Sequence, residues 1–117
     1  TYDNLIKGAP LHKSHKKYGF VEPLANWTPS IGISQVIRVG YNFRKDYSND
    51  YWIAAMGNNI PEGDMTIHHL RFNKDFSEIE FKDKLVVNER IRDLINIEEK
   101  NFILILLENT PALLVIK

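Results

Sequence analysis

The chain has 117 residues, 44% of them apolar and 26% charged, which is the size and composition of one globular domain and excludes a disordered segment. Fifteen Lys and Arg balance fifteen Asp and Glu, so no net field draws in nucleic acid or an anionic membrane. There is no cysteine, which excludes disulfide scaffolds, cysteine-ligated zinc, iron–sulfur clusters and thiol catalysis.

The longest unbroken apolar run, Phe102 to Leu107, falls far short of the ~20 residues of a membrane helix, so no membrane span is expected. A start at Thr1 with no visible signal peptide fits a chain whose leader was removed or a piece of something longer.

In chain order, Thr1 to Thr28 reads as an irregular but ordered arm. It carries the basic stretch His12-Lys13-Ser14-His15-Lys16-Lys17, has no period of 2 or 3.6, and offers Tyr18, Phe20 and Trp27 as aromatic anchors. From Ser30 onward short β-type runs alternate with turns. The predicted strands are Ile33 to Val39, Tyr51 to Met56, Met65 to Phe72, Glu78 to Val87, Arg90 to Ile97, Phe102 to Leu107 and Leu113 to Ile116. Asn49-Asp50, Gly57-Asn58-Asn59, Pro61-Glu62-Gly63-Asp64, Asn73-Lys74-Asp75, Glu98-Glu99-Lys100-Asn101 and Asn109-Thr110-Pro111 supply the turn chemistry between them. Asn88 to Ile97 also fits helical spacing through Ile91, Leu94 and Ile95, but its β-branched residues and flanking turns favour a strand.

The fold class is all-β, and the strands are of two kinds. Tyr51 to Met56 and Phe102 to Leu107 are apolar throughout, which predicts burial on both faces. Met65 to Phe72 and Glu78 to Lys82 are mixed, as expected where one face meets water. A β-propeller stacks four-stranded blades face to face and produces both kinds. On this reading residues 30–87 are one blade and 90–117 most of a second. Two blades do not close a propeller, so two blade faces would be left bare. A self-contained seven-stranded sandwich or open barrel is the alternative.

Arg90 and Arg92 stand two apart on a predicted strand, so both guanidinium groups leave one face. Like charges held side by side suit a polycarboxylate or phosphate ligand, because arginine grips carboxylates as a planar fork. A solvated pair compensated by Glu89, Glu98 or Glu99 is the plainer reading. His68 and His69 are strand neighbours that face opposite ways and cannot chelate one ion; one is expected packed and the other exposed. His12 and His15 read as a solvated loop or the mouth of a site. Asp46, Asn49 and Asp50, like Glu62 and Asp64, are explained by turn chemistry rather than by a calcium loop.

Three segments in order, Trp27-Thr28-Pro29-Ser30-Ile31, the apolar run Tyr51 to Gly57, and Asn88-Glu89-Arg90-Ile91-Arg92-Asp93 with Leu107-Glu108-Asn109, resemble the C-terminal part of the soluble PQQ-dependent sugar dehydrogenases, the glucose/sorbosone dehydrogenase family. The resemblance spans about Tyr18 to Lys117, and the arginine motif is its most specific part. It implies a six-bladed propeller that holds pyrroloquinoline quinone in an axial funnel and oxidises the anomeric hydroxyl of an aldose sugar, in the periplasm or outside the cell. It further implies that Arg90 and Arg92 approach the cofactor carboxylates, with Trp27 and Ser30 lining the same funnel. The family's general-base histidine and Ca2+ ligands lie in earlier blades, so the remaining blades are implied partners. Where the family usually has a lysine near the end of the second strand, this chain has Gly57. A propeller that lost catalysis and serves as a carbohydrate-binding or interaction module is the alternative.

Overall fold

A computed structural model describes residues 16–27, 30–40, 42–57, 65–110 and 112–117. The expectations for His12, His15, Thr28, Pro29, Pro111 and the turn from Asn58 to Asp64 lie outside the described residues.

Among the described residues seven strands form: β1 (Ile33–Arg38), β2 (Asp50–Ala55), β3 (Thr66–Phe72), β4 (Ile79–Val86), β5 (Ile91–Ile97), β6 (Phe102–Leu107) and β7 (Leu113–Ile116). All seven match the predicted runs to within a residue at either end. The ambiguous segment is strand β5. The turn after it ends at Asn101, whose φ of 57° reverses the chain into β6; asparagine tolerates this left-handed conformation better than most residues.

β1 to β4 make one antiparallel sheet in the order β1-β2-β3-β4, and β5 to β7 make a second, β5-β6-β7. No barrel closes. The chain is all-β, with the layout of a propeller fragment: one four-stranded blade followed by three strands of another.

Four antiparallel strands return the chain to its starting direction, and β5 then runs beside β1. Polar side chains lace this seam. Ser34 Oγ donates to the Ile91 carbonyl at 2.6 Å, and Gln35 Nε2 donates to Asp93 Oδ1 at 3.0 Å. Asn96 Nδ2 reaches the carbonyls of Arg38 and Val39 at 3.0 and 2.7 Å. Residue numbers climb together along the two strands, so β1 and β5 are parallel. Behind the seam lies the core, with Val39, Trp52, Ala54 and Ile67 on one side and Ile91, Leu94, Ile103, Ile105 and Leu107 on the other. Each large aliphatic buried there contributes about 1.5–3 kcal/mol by leaving water.

β2 is buried on both faces, as its sequence predicts: Trp52, Ile53, Ala54 and Ala55 are 7, 8, 0 and 0% exposed. β6 corrects the same expectation. Ile103, Ile105 and Leu107 are buried, whereas Leu106 is 45% exposed. The register aligns Ile95, Leu104 and Val115 across the second sheet on that uncovered side. Among the expected anchors of the arm, Tyr18 and Phe20 are exposed instead, and Trp27 packs on the first sheet. No helix among the described residues is long and apolar enough to cross a membrane.

Candidate functional site

Arg90 precedes β5 and Arg92 is its second residue. Ile91 pairs with Leu107 and Asp93 with Leu106, so Arg92 is an extra residue in a β-bulge. A bulge bends its strand and re-aims a side chain. Here both guanidinium groups come to one place. Arg90 Nη2 lies 4.0 Å and Arg92 Nη1 3.2 Å from Met56 Sδ, a weak acceptor at the end of the first sheet.

Glu108 completes the cluster. Its backbone N–H donates to the Arg90 carbonyl at 3.0 Å. Its carboxylate pairs with Arg90 through Oε2, and Oε1 is 3.9 Å from Arg92 Nε. The compensating carboxylate is therefore Glu108, which corrects the expectation of Glu89, Glu98 or Glu99. Glu89 instead accepts the Thr110 N–H at 2.8 Å. Arg90, Arg92 and Glu108 keep 34, 50 and 35% of their side-chain surface exposed, so this is an accessible site at the end of the two sheets.

Ser30 reaches the same end by backbone. Its Oγ accepts the Gly32 N–H at 3.3 Å, and the carbonyls of Gly32 and Ile31 accept the N–H groups of Met56 and Gly57 at 2.9 Å each. Gly57 has φ 78°, a conformation in which a lysine would be strained. Trp27 goes elsewhere. Its ring packs on His68 at 5.2 Å, and His68 pairs with Ile53 on the face of the first sheet turned away from Trp52 and Ala54. The structure thus brings Arg90, Arg92 and the Ser30 segment to one end and sets Trp27 on another surface.

A second polar cluster was not legible in the sequence. Asp50 is fully buried. It takes Arg71 as a fork, Nε to Oδ1 at 2.8 Å and Nη2 to Oδ2 at 2.9 Å, with His69 Nε2 2.5 Å from Oδ2. Arg71 lies 5.8 Å from the Tyr47 ring and 5.6 Å from that of Phe81. Its hydrogen bond to Asp50 holds the guanidinium above its ordinary pKa. Both carboxylate oxygens are engaged, and Tyr47, Trp52 and Phe81 crowd the His69 ring, so the cluster fixes β2 against β3. The histidine expectation is corrected in part: the two side chains do face opposite ways, but both are packed, His68 at 6% exposed and the His69 side chain at 12%. Among the described residues no three His, Asp or Glu side chains are placed to hold a metal ion.

Fold and site together define a class: a two-sheet propeller fragment with paired arginines gathered at one end. Compared with known proteins, the chain matches no family model, no curated protein and no solved structure.

Proposed function

We propose that this chain is a segment of a periplasmic or extracellular quinoprotein oxidoreductase acting on the anomeric CH–OH of an aldose sugar. In this reading the propeller is six-bladed, and earlier blades supply the general base and the Ca2+ ligands. The observation that supports it best is the convergence of Arg90 and Arg92 beside a single carboxylate. Two guanidinium charges against one from Glu108 leave one positive charge in surplus. Each guanidinium carries five N–H donors, more than Glu108 can satisfy, so the donor set suits a ligand with several carboxylates. Pyrroloquinoline quinone, when bound, supplies the hydride acceptor. Arg90 and Arg92 hold its carboxylates and fix its orientation, and the Ser30 segment borders the same end. Trp27, packed on His68, serves another purpose.

A second reading, a propeller without catalysis that binds carbohydrate or another protein, is favoured by one observation. Gly57, held in a left-handed backbone conformation, offers no cation where the family that the sequence resembles has a lysine to share the cofactor's charge.

The test is a titration of the complete protein with pyrroloquinoline quinone and calcium, followed by dye-coupled sugar oxidation. A saturable shift in quinone absorbance is expected, weakened about tenfold or more by Arg92→Ala, the equivalent of one charge-assisted hydrogen bond. No shift, or binding undiminished in an Arg90→Ala/Arg92→Ala variant, overturns the proposal. Binding without sugar oxidation selects the second reading.

A further inference from the structure

On the outer face of the first sheet the chain builds a second recess, independent of the arginine cluster. A cavity of about 510 Å³ lies between the arm and strands β3 and β4, lined by Trp27, His68, Leu70, Lys82 and Lys84, with Asp83 between the two lysines, its Oδ1 accepting the Lys84 backbone N–H at 2.8 Å. The volume is that of an ordinary small-molecule site. Register explains its composition. On β4, Lys82 stands opposite Leu70 and Lys84 opposite His68, so both lysines leave the face on which Trp27 is seated. Leu70 is 3% exposed and His68 6% exposed, which gives the recess a firm apolar and aromatic floor. The His68 ring is held from below by the Thr66 hydroxyl at 3.0 Å.

Lysines on an edge strand ordinarily guard against edge-to-edge pairing. Two features here go beyond that role. Neither lysine has an ion-pair partner among the described residues. And the arm brings an indole over the same face from some forty positions away in sequence. An aromatic face offers stacking or CH–π contact to a ring, and two ammonium groups beside it offer charge-assisted hydrogen bonds to an acid group.

We propose that this recess binds a small ring compound bearing a carboxylate, with the ring on Trp27 and the acid group between Lys82 and Lys84. A sugar acid and an aromatic acid share this chemistry. D-Glucuronate and benzoate therefore serve as the two probes, with methyl glucoside and benzyl alcohol as their neutral counterparts. The Trp27 indole N–H resonance is assigned by its loss in a Trp27→Phe variant. One or both acids are expected to move the Trp27 resonance saturably, while the neutral compounds do not; which acid does so identifies the source. Lys82 and Lys84 are exposed, so the Lys82→Gln/Lys84→Gln variant keeps the fold. It should weaken binding about tenfold or more, as expected for loss of a charge-assisted hydrogen bond. If neither acid moves the Trp27 signal, or the double variant binds as the unaltered protein does, the proposal fails.

Discussion

β2 and β6 carry comparably apolar sequences and end in different surroundings. β2 lies inside a four-stranded sheet whose inner face meets β5 and whose outer face carries the arm with Trp27. β6 is the middle strand of a three-stranded sheet with one covered face. Ile53 on the outer face of β2 is 8% exposed, while Leu106, on the corresponding side of β6, is 45% exposed. An apolar sequence therefore announces what a strand needs, and neighbours decide whether it receives it. The bare side of the second sheet, with Ile95, Leu106, Leu113 and Val115 between 45 and 57% exposed, is the kind of surface another blade covers in a propeller.

Substitutions can break this comparison. The largest effect is expected at Asp50. Asp50→Ala strips the partner from Arg71 and His69 inside the first sheet and should cost about 3–5 kcal/mol, read from the urea unfolding midpoint. A loss below about 1 kcal/mol would show that the cluster is solvated and not a fixed element of the sheet. Next comes the core between the sheets, where Ile105→Ala should cost about 2–5 kcal/mol. The partner experiment is Leu106→Ala on the uncovered side, expected within about 0.5 kcal/mol of the unaltered chain, as for a surface position. Equal effects at 105 and 106 would mean that the second sheet is covered on both sides in solution.

A smaller effect should appear at the seam. Asn96→Ala removes two hydrogen bonds to the β1 carbonyls and should cost about 1 kcal/mol, with sheet-to-sheet contacts in NMR weakening before those within each sheet.

The smallest effect belongs to the exposed turn between β3 and β4. The Ser77 hydroxyl and backbone N–H hydrogen-bond Asp75 and hold its carboxyl below the ordinary range. A carboxylate whose pKa falls on folding stabilises the fold above its unfolded value of about 3.9, and that help is lost as pH drops through the lower, folded value. Asp75→Asn should therefore lower stability slightly at neutral pH, converge with the unaltered chain at low pH, and so flatten the acid limb below about pH 4. An unaltered acid limb would show that the turn does not persist in solution.

The two candidate sites were legible to different degrees. Arg90 and Arg92 are visible in the sequence as a pair two apart, but it is the bulge at Arg92, not regular strand alternation, that brings both to one place. Lys82 and Lys84 have the same spacing and could have been flagged by the same rule; what gives them meaning is Trp27, which the sequence places far away. Glu108 and Met56 carry no signal as neighbours of the arginines, since one follows β6 and the other ends the first sheet. Asp50 reads as a turn residue because it follows Asn49, and only the pairing of β2 with β3 turns it into the buried anchor of Arg71 and His69.

By itself the sequence determined the seven strands, their order and the all-β class. Apolar runs, alternation and turn residues are local properties, and short turns make neighbours in sequence neighbours in space. Only the tertiary structure decided which of two equally apolar strands is enclosed, which carboxylate answers the arginines and which surface Trp27 joins. Those outcomes depend on the bulge at Arg92 and on β1 and β5 lying side by side, contacts between distant segments whose free energy no local window contains.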